Sequence, residues 1–165
     1  MAAGHWRLTE TEGNRQRRLY FDAFWRPVVE ESRDLSNPQQ TLTQVVNRYD
    51  RLGRKTFQSY PSRSVTDFRA ALPGTFTSYD ALDRISSVGV DSEHGRLTTT
   101  TNYLNGLRRQ VINPRGFATV ESFQAWDVPG YDLPVRIDAP EGVSTQITRN
   151  VFGNPVEISR SGPDR

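Results

Sequence analysis

The sequence predicts an all-β chain, organised as a repeat array of antiparallel β-hairpins, and three observations point there. The stretch YDRLGRKTF, which begins at Tyr49, returns thirty residues later as YDALDRISS at Tyr79. Thr, Val, Tyr and Phe are plentiful while long Ala/Leu/Glu/Lys helical patterns are scarce, a composition that favours strands. Turn signals recur at about the eight-to-twelve-residue spacing of an all-β array, enough for roughly a dozen short strands.

Weaker copies of the repeated stretch extend the series. FDAFWRPVV from Phe21 keeps the aromatic-Asp start and the later Arg; YLNGLRRQV from Tyr103 keeps Tyr and Arg at the same offset. RNVFGNPVEI from Arg149 places Asn150 where Asp stood, Gly153 in the glycine slot and Asn154 after it. The starts at Phe21, Tyr49, Tyr79 and Tyr103 are 28, 30 and 24 residues apart, and Arg149 follows after 46, close to two intervals. That last gap holds two further Pro-x-Gly turns, at Pro114 and Pro140.

Each copy has a mechanical reading. In Tyr49-Asp50-x-x-Gly53-Arg54, Asp and Gly three apart match a type I turn, and Gly in the left-handed region completes a three-residue hairpin loop with a G1 bulge. Asp50 would accept hydrogen bonds from the turn backbone, and Gly53 would supply positive φ without a Cβ clash. Tyr49 is expected to cover the neighbouring hairpin, and Arg54 to reach cross-strand acids. In the second copy (Tyr79, Asp80, Asp83, Arg84), Asp83 replaces Gly and is one of the few residues that tolerates left-handed backbone. In the third (Tyr103, Asn105, Gly106, Arg108), Asn105-Gly106 suits a two-residue type I′ hairpin. The Phe21 copy departs most: Trp25 fills the glycine slot and should resist that conformation, so a different or longer connection is expected there.

Between the turns, GRLTTTTNY, FATVESFQAW, STQITRNVF and NPVEIS read as strands, the last three with period-two patterning. SVTDFRAALPG, Ser64 to Gly74, is a short helix or an inserted loop, with Ser64 as cap and Pro73-Gly74 as terminator. SRDLSNPQQ around Asn37-Pro38 reads as another loop.

The chain has 165 residues, 35% hydrophobic and 24% charged, which suits one domain or a piece of a larger protein. A formal net charge of +2, with scattered arginines and Lys55 as the sole lysine, gives no argument for a nucleic-acid partner. The absence of cysteine excludes disulfides and thiolate metal sites. The first eighteen residues hold no apolar core of signal-peptide length, and no run is long enough for a membrane-spanning helix.

The copies YDRLGR, YDALDR, YLNGLR and NVFGNP, with the interleaved NPRG and APEG turns, resemble the RHS/YD-repeat family of large bacterial surface and toxin proteins. The resemblance runs over residues 19–161, leaving 1–18 as an extension or the end of a preceding repeat and 162–165 as a tail. It implies a spiralling, curled sheet that forms part of the wall of a shell enclosing or presenting a C-terminal toxin. The implied partners are the remainder of a longer RHS chain and its toxin cargo, and the implied location is secreted or at the cell surface. The family's core that closes the shell and its autoproteolysis region are not recognisable. Some members are described as carbohydrate-binding, which makes a surface glycan the alternative partner.

No catalytic, metal or cofactor residue is assigned. Asp91, Glu93 and His94 stand together in DSEHGR, but the segment reads as a hairpin turn. No GxSxG, Walker or HExxH motif occurs. Asp50 and Asp80 would pose as paired carboxylates for glycoside hydrolysis, yet each has its own turn to organise. Trp6, Trp25, Trp126, Tyr20, Tyr60 and Tyr131 offer rings for sugar stacking, Trp25 and Trp126 foremost, against ordinary packing between hairpins.

Overall fold

The computed structural model describes residues 6–63, 65–125 and 128–163. Among them the chain is all-β, with strands β1 (Trp6–Glu12), β2 (Arg15–Phe21), β3 (Pro27–Asp34), β4 (Thr43–Tyr49), β5 (Lys55–Ser59), β6 (Gly74–Tyr79) and β7 (Ile85–Ser92). They continue as β8 (Gly95–Leu104), β9 (Arg108–Ile112), β10 (Ala118–Phe123), β11 (Pro134–Asp138), β12 (Ser144–Arg149) and β13 (Pro155–Ser161). Strands follow one another in sequence order. Sequential order is what a chain of hairpins produces, because every connection joins antiparallel neighbours and none has to cross the sheet.

The chain divides into two compact units. One comprises Met1–Ser78 and Gly89–Arg96; the other comprises Tyr79–Val88 and Leu97–Arg165. In the first, Val29, Val46 and Phe57 are buried, and a polar ladder crosses the strands. Gln58 Nε2 donates to Asn47 Oδ1, Asn47 Nδ2 to Glu30 Oε1, and Arg17 to Glu30 Oε2 at 3.0 Å. Asn47, 2% exposed, also donates to the Pro27 carbonyl, so both hydrogen-bonding ends of its buried amide are satisfied.

The segment from Tyr60 to Pro73 folds back on β4. Gln44 and Ser62 exchange backbone hydrogen bonds, Val65 N–H donates to Gln44 Oε1, and Arg48 donates to the Ala70 carbonyl. It is an irregular loop rather than a helix, and Ser64 lies outside the described residues. Gly74 opens β6 instead of ending a helix: a Cβ there would overlap the Gln58 carbonyl oxygen, so the close approach of two strands requires glycine. A short α-helix (α1, Pro38–Thr41) sits in the segment expected to be a loop. Its proline occupies the first turn, where a missing N–H is tolerated.

In the second unit Phe123 is the buried aromatic, with Tyr131 edge-on to it at 5.3 Å and to Tyr103 at 5.0 Å. Arg109 pairs with Glu121 across β9 and β10 at 2.6 Å. No helix among the described residues is long and apolar enough to cross a membrane.

Candidate functional site

The repeated motif forms the same turn wherever its second position is Asp or Asn. Asp50 Oδ1 accepts the Leu52 and Arg54 backbone N–H groups at 2.9 and 3.0 Å. Gly53 N–H donates to the Asp50 carbonyl, and Asp50 N–H to the Arg54 carbonyl. A register shift between Arg48 and Tyr49 marks the expected bulge. The same bonds recur around Asp80 and around Asn150, with Asn154 in the arginine slot.

The Phe21 copy corrects the expectation of a different connection. Asp22 Oδ1 accepts from the Phe24 and Arg26 backbones at 2.9 and 3.0 Å, the same pair of bonds. Trp25 therefore adopts φ 59°, a conformation disfavoured for a bulky side chain. Its ring stacks on Trp6 with centroids 4.6 Å apart and planes 7° from parallel, and Phe21 flanks it at 5.8 Å. These aromatic contacts offset the backbone strain.

In the third copy the left-handed residues are Gly106 and Leu107, not Asn105 and Gly106, so the expected type I′ pair is displaced by one position. Leu104 pairs with Arg108 across a three-residue loop. With Leu104 in the Asp position, no carboxylate awaits Arg108, which donates to the Asn105 carbonyl instead. Residues in the glycine slot nevertheless keep positive φ in all five copies: Trp25 59°, Gly53 84°, Asp83 62°, Leu107 53° and Gly153 79°.

The Pro-x-Gly turn expected at Pro114 is a further copy of the Asp and Asn turn, a likeness the sequence reading does not assign. Asn113 Oδ1 accepts from the Arg115 and Phe117 backbones, and Gly116 has φ 84°. Asn three residues before Gly was the available signal. It follows the odd-numbered strand β9, whereas the other Asp and Asn turns follow even-numbered strands.

The arginines of the Asp turns fold back on their own turns. Arg26 pairs with Asp22 at 2.6 Å, Arg54 with Asp50 at 2.7 Å and Arg84 with Asp80 at 2.7 Å. This aspartate cradle aims the guanidinium at the next copy. Arg26 lies over the Tyr49 ring, 5.0 Å from its centroid, and donates to the Asp50 carbonyl at 3.1 Å. The Tyr49 hydroxyl returns a hydrogen bond to the carbonyl of Pro27, the residue after Arg26, at 3.0 Å. In the second unit Arg84 lies 3.8 Å from the Tyr103 centroid, and Tyr103 donates to the carbonyl of Ile85, the residue after Arg84. The motif is thus a clasp between consecutive copies. In the last copy Arg149 stands in the tyrosine slot and donates to the Pro134 and Gly153 carbonyls.

The electrostatics follow from these bonds. Desolvation raises the Asp50 carboxyl, but hydrogen bonds from the Arg54 side chain and the Arg54 and Leu52 backbones outweigh it and hold the pKa below the ordinary 3.8. Asp22 and Asp80 are lowered by the same balance of opposing effects. Desolvation, followed by the nearby Glu30 and Asp22 charges, raises the Tyr49 phenol. A carboxylate held below its usual range by its own turn is a poor general acid or base near neutrality.

Asp91, Glu93 and His94 border a hairpin turn, as expected. Asp91 takes Arg96 on Oδ1 and the Gly74 backbone N–H on Oδ2, and His94 N–H donates to Ser92 Oγ. No cluster of three metal-ligating side chains occurs among the described residues. Of the proposed stacking rings, Tyr20 donates to Glu31, Tyr60 to the Asp91 carbonyl, and Tyr131 packs in the aromatic cluster. Trp25 remains 64% exposed despite its stack on Trp6, whereas Trp126 lies outside the described residues. A scan against protein-family models matches none, and a search of the curated proteins finds no match.

Proposed function

We propose that the chain is a structural wall segment of an RHS/YD-repeat shell that encloses or presents a polymorphic toxin outside the cell. The supporting observation is the clasp: Asp, Arg and Tyr of the motif engage the turn and the adjoining copy, leaving no free catalytic set among them. Such linkage is what a repeat array requires, because each hairpin has only its neighbours to pack against. The reading frame around the chain tests this. Further Tyr-Asp-x-x-Gly-Arg copies and a C-terminal domain are expected, and that domain should resist protease in the full-length protein while being cut when free. Equal cleavage of the enclosed and free domains would overturn the shell.

A second reading, a carbohydrate-binding surface module, is favoured by the Trp25–Trp6 stack, whose outer ring is exposed at the tip of a turn. Trp25→Gly tests it cleanly, because glycine suits the turn while removing the ring. Glycan-array binding by the wild type that is lost in this variant would support the module. Absence of binding by the wild type would dismiss it.

A further inference from the structure

The connection between β5 and β6, Tyr60 to Pro73, is far longer than the motif turns Asp22–Arg26 and Asp50–Arg54. A repeat array needs no such insertion, and long loops held in a defined course commonly carry function. This one is closed at its base, where Tyr60 N–H donates to the Pro73 carbonyl at 2.9 Å, and is held along its length by Gln44 and Arg48. Its last residues, Leu72 and Pro73, wall a cavity of about 450 Å³ together with Phe76, Arg48 and Arg96. Small-molecule sites usually measure about 300–1,000 Å³. The described residues that line the cavity all belong to one compact unit, and none belongs to the repeated motif.

An aromatic pair fixes two guanidinium groups at this cavity. Arg48 lies over the Phe57 ring, 4.6 Å from its centroid, and Arg96 lies over the Phe76 ring at 3.5 Å. Phe57 and Phe76 are cross-strand partners of β5 and β6, with ring centroids 4.7 Å apart. Such contacts position a guanidinium without cancelling its charge. The charges at the cavity do not balance. Asp91 is the only acid among the described lining residues. Its Oδ1 takes Arg96 Nε and its Oδ2 the Gly74 N–H, and these bonds hold the carboxyl below its ordinary 3.8, so it is ionised near neutrality. Arg48 donates to the Ala70 carbonyl and forms no ion pair among the described residues. Two cations against one anion leave a single positive charge uncompensated beside an apolar wall.

We propose that this cavity binds a small organic monocarboxylate, whose carboxylate pairs with Arg48 and Arg96 while its apolar body packs on Leu72, Pro73 and Phe76. A guanidinium presents a planar fork of N–H donors that matches a carboxylate. One negative charge neutralises the site, whereas a dianion such as a phosphate monoester leaves it with an excess negative charge that nothing there compensates.

Isothermal titration calorimetry with phenylacetate at neutral pH reads the site. Saturable binding with a Kd of about 1 mM or tighter is expected, and the neutral isostere phenylacetamide should bind at least about tenfold more weakly. Ala71 lines the cavity from the loop and is exposed, so substitutions there spare the fold. Ala71→Glu supplies the missing charge from within the chain and should weaken phenylacetate at least about tenfold, with unchanged circular dichroism. Ala71→Gln, of the same size but neutral, should stay within about threefold of wild type. Arg96→Gln, at an exposed position, removes one of the two cations and should also weaken binding at least about tenfold. Absence of saturable phenylacetate binding, equal binding of the amide, or equal affinities of the Ala71→Glu and Ala71→Gln variants would each overturn the proposal.

Discussion

Arg84 lies over the ring of Tyr103, 3.8 Å from its centroid, while the Tyr103 hydroxyl bonds to the carbonyl of the residue that follows Arg84. Arg26 and Tyr49 repeat this relationship in the other unit, with the returning bond at 3.0 Å. Two occurrences of the same reciprocal contact explain why Tyr and Arg accompany a turn that needs only Asp and Gly. Removing the hydroxyl alone isolates the return bond. Tyr49→Phe should lower stability by about 1 kcal/mol in urea unfolding, with the turn intact.

The carboxylate has two roles that substitution can separate. Asp50→Asn keeps the acceptor for the Leu52 and Arg54 N–H groups, as Asn113 and Asn150 do naturally, but gives up the charge facing Arg54. Asp50→Ala gives up both. Melting temperatures should therefore fall in the order wild type, Asn, Ala; equal losses for Asn and Ala would show that the backbone bonds contribute nothing.

Trp25 invites an unusual comparison. Left-handed backbone at a non-glycine residue costs roughly 1–2 kcal/mol, and an aromatic pair contributes about 0.5–1.5 kcal/mol. Trp25→Gly exchanges one for the other and should change stability by no more than about 1 kcal/mol. Trp25→Ala retains the strain without the stack and should be the less stable variant. Urea titration of the three proteins side by side checks this.

Gly74 has no such freedom. The Cβ of Gly74→Ala would meet the Gln58 carbonyl oxygen and the Ser59 Cα, both backbone atoms, so the strands themselves must shift. A loss of about 1–3 kcal/mol is expected by the same unfolding measurement.

Acid should destabilise the fold in a definite window. The carboxyls of Asp22, Asp50, Asp80, Asp91 and Asp138 are all held below 3.8 in the folded chain. Their folded pKa values lie below the unfolded ones, so the stability they contribute is present above 3.8 and lost as pH falls through the lowered values. The urea midpoint should drop on acidification below 3.8, less steeply in Asp50→Asn than in wild type.

The hairpin array was legible because its signals are local. Asp50 and Gly53 specify their turn from within six residues, and Asp83 preserved the signal in altered form. The failures share the opposite cause. Trp25 was expected to break the turn, because its compensating partner, Trp6, lies nineteen residues away and belongs to another strand. The pairing of Arg54 with Asp50 is absent from the sequence reading, since spacing alone does not show a side chain folding back on its own turn. Gly74 was read as a terminator because the close approach of β5 is a tertiary fact. The clasp itself was only half visible: Tyr49 was placed against a neighbouring hairpin, but its reciprocity with Arg26 needs both strands in register.

The coupling between Arg26 and Tyr49, read by a double-mutant cycle with Arg26→Gln and Tyr49→Leu in urea unfolding, tests the clasp most directly. The clasp predicts a coupling of about 1 kcal/mol, the combined loss being smaller than the sum of the separate ones. Additivity within about 0.3 kcal/mol would contradict it, leaving the repeated motif a turn and nothing more.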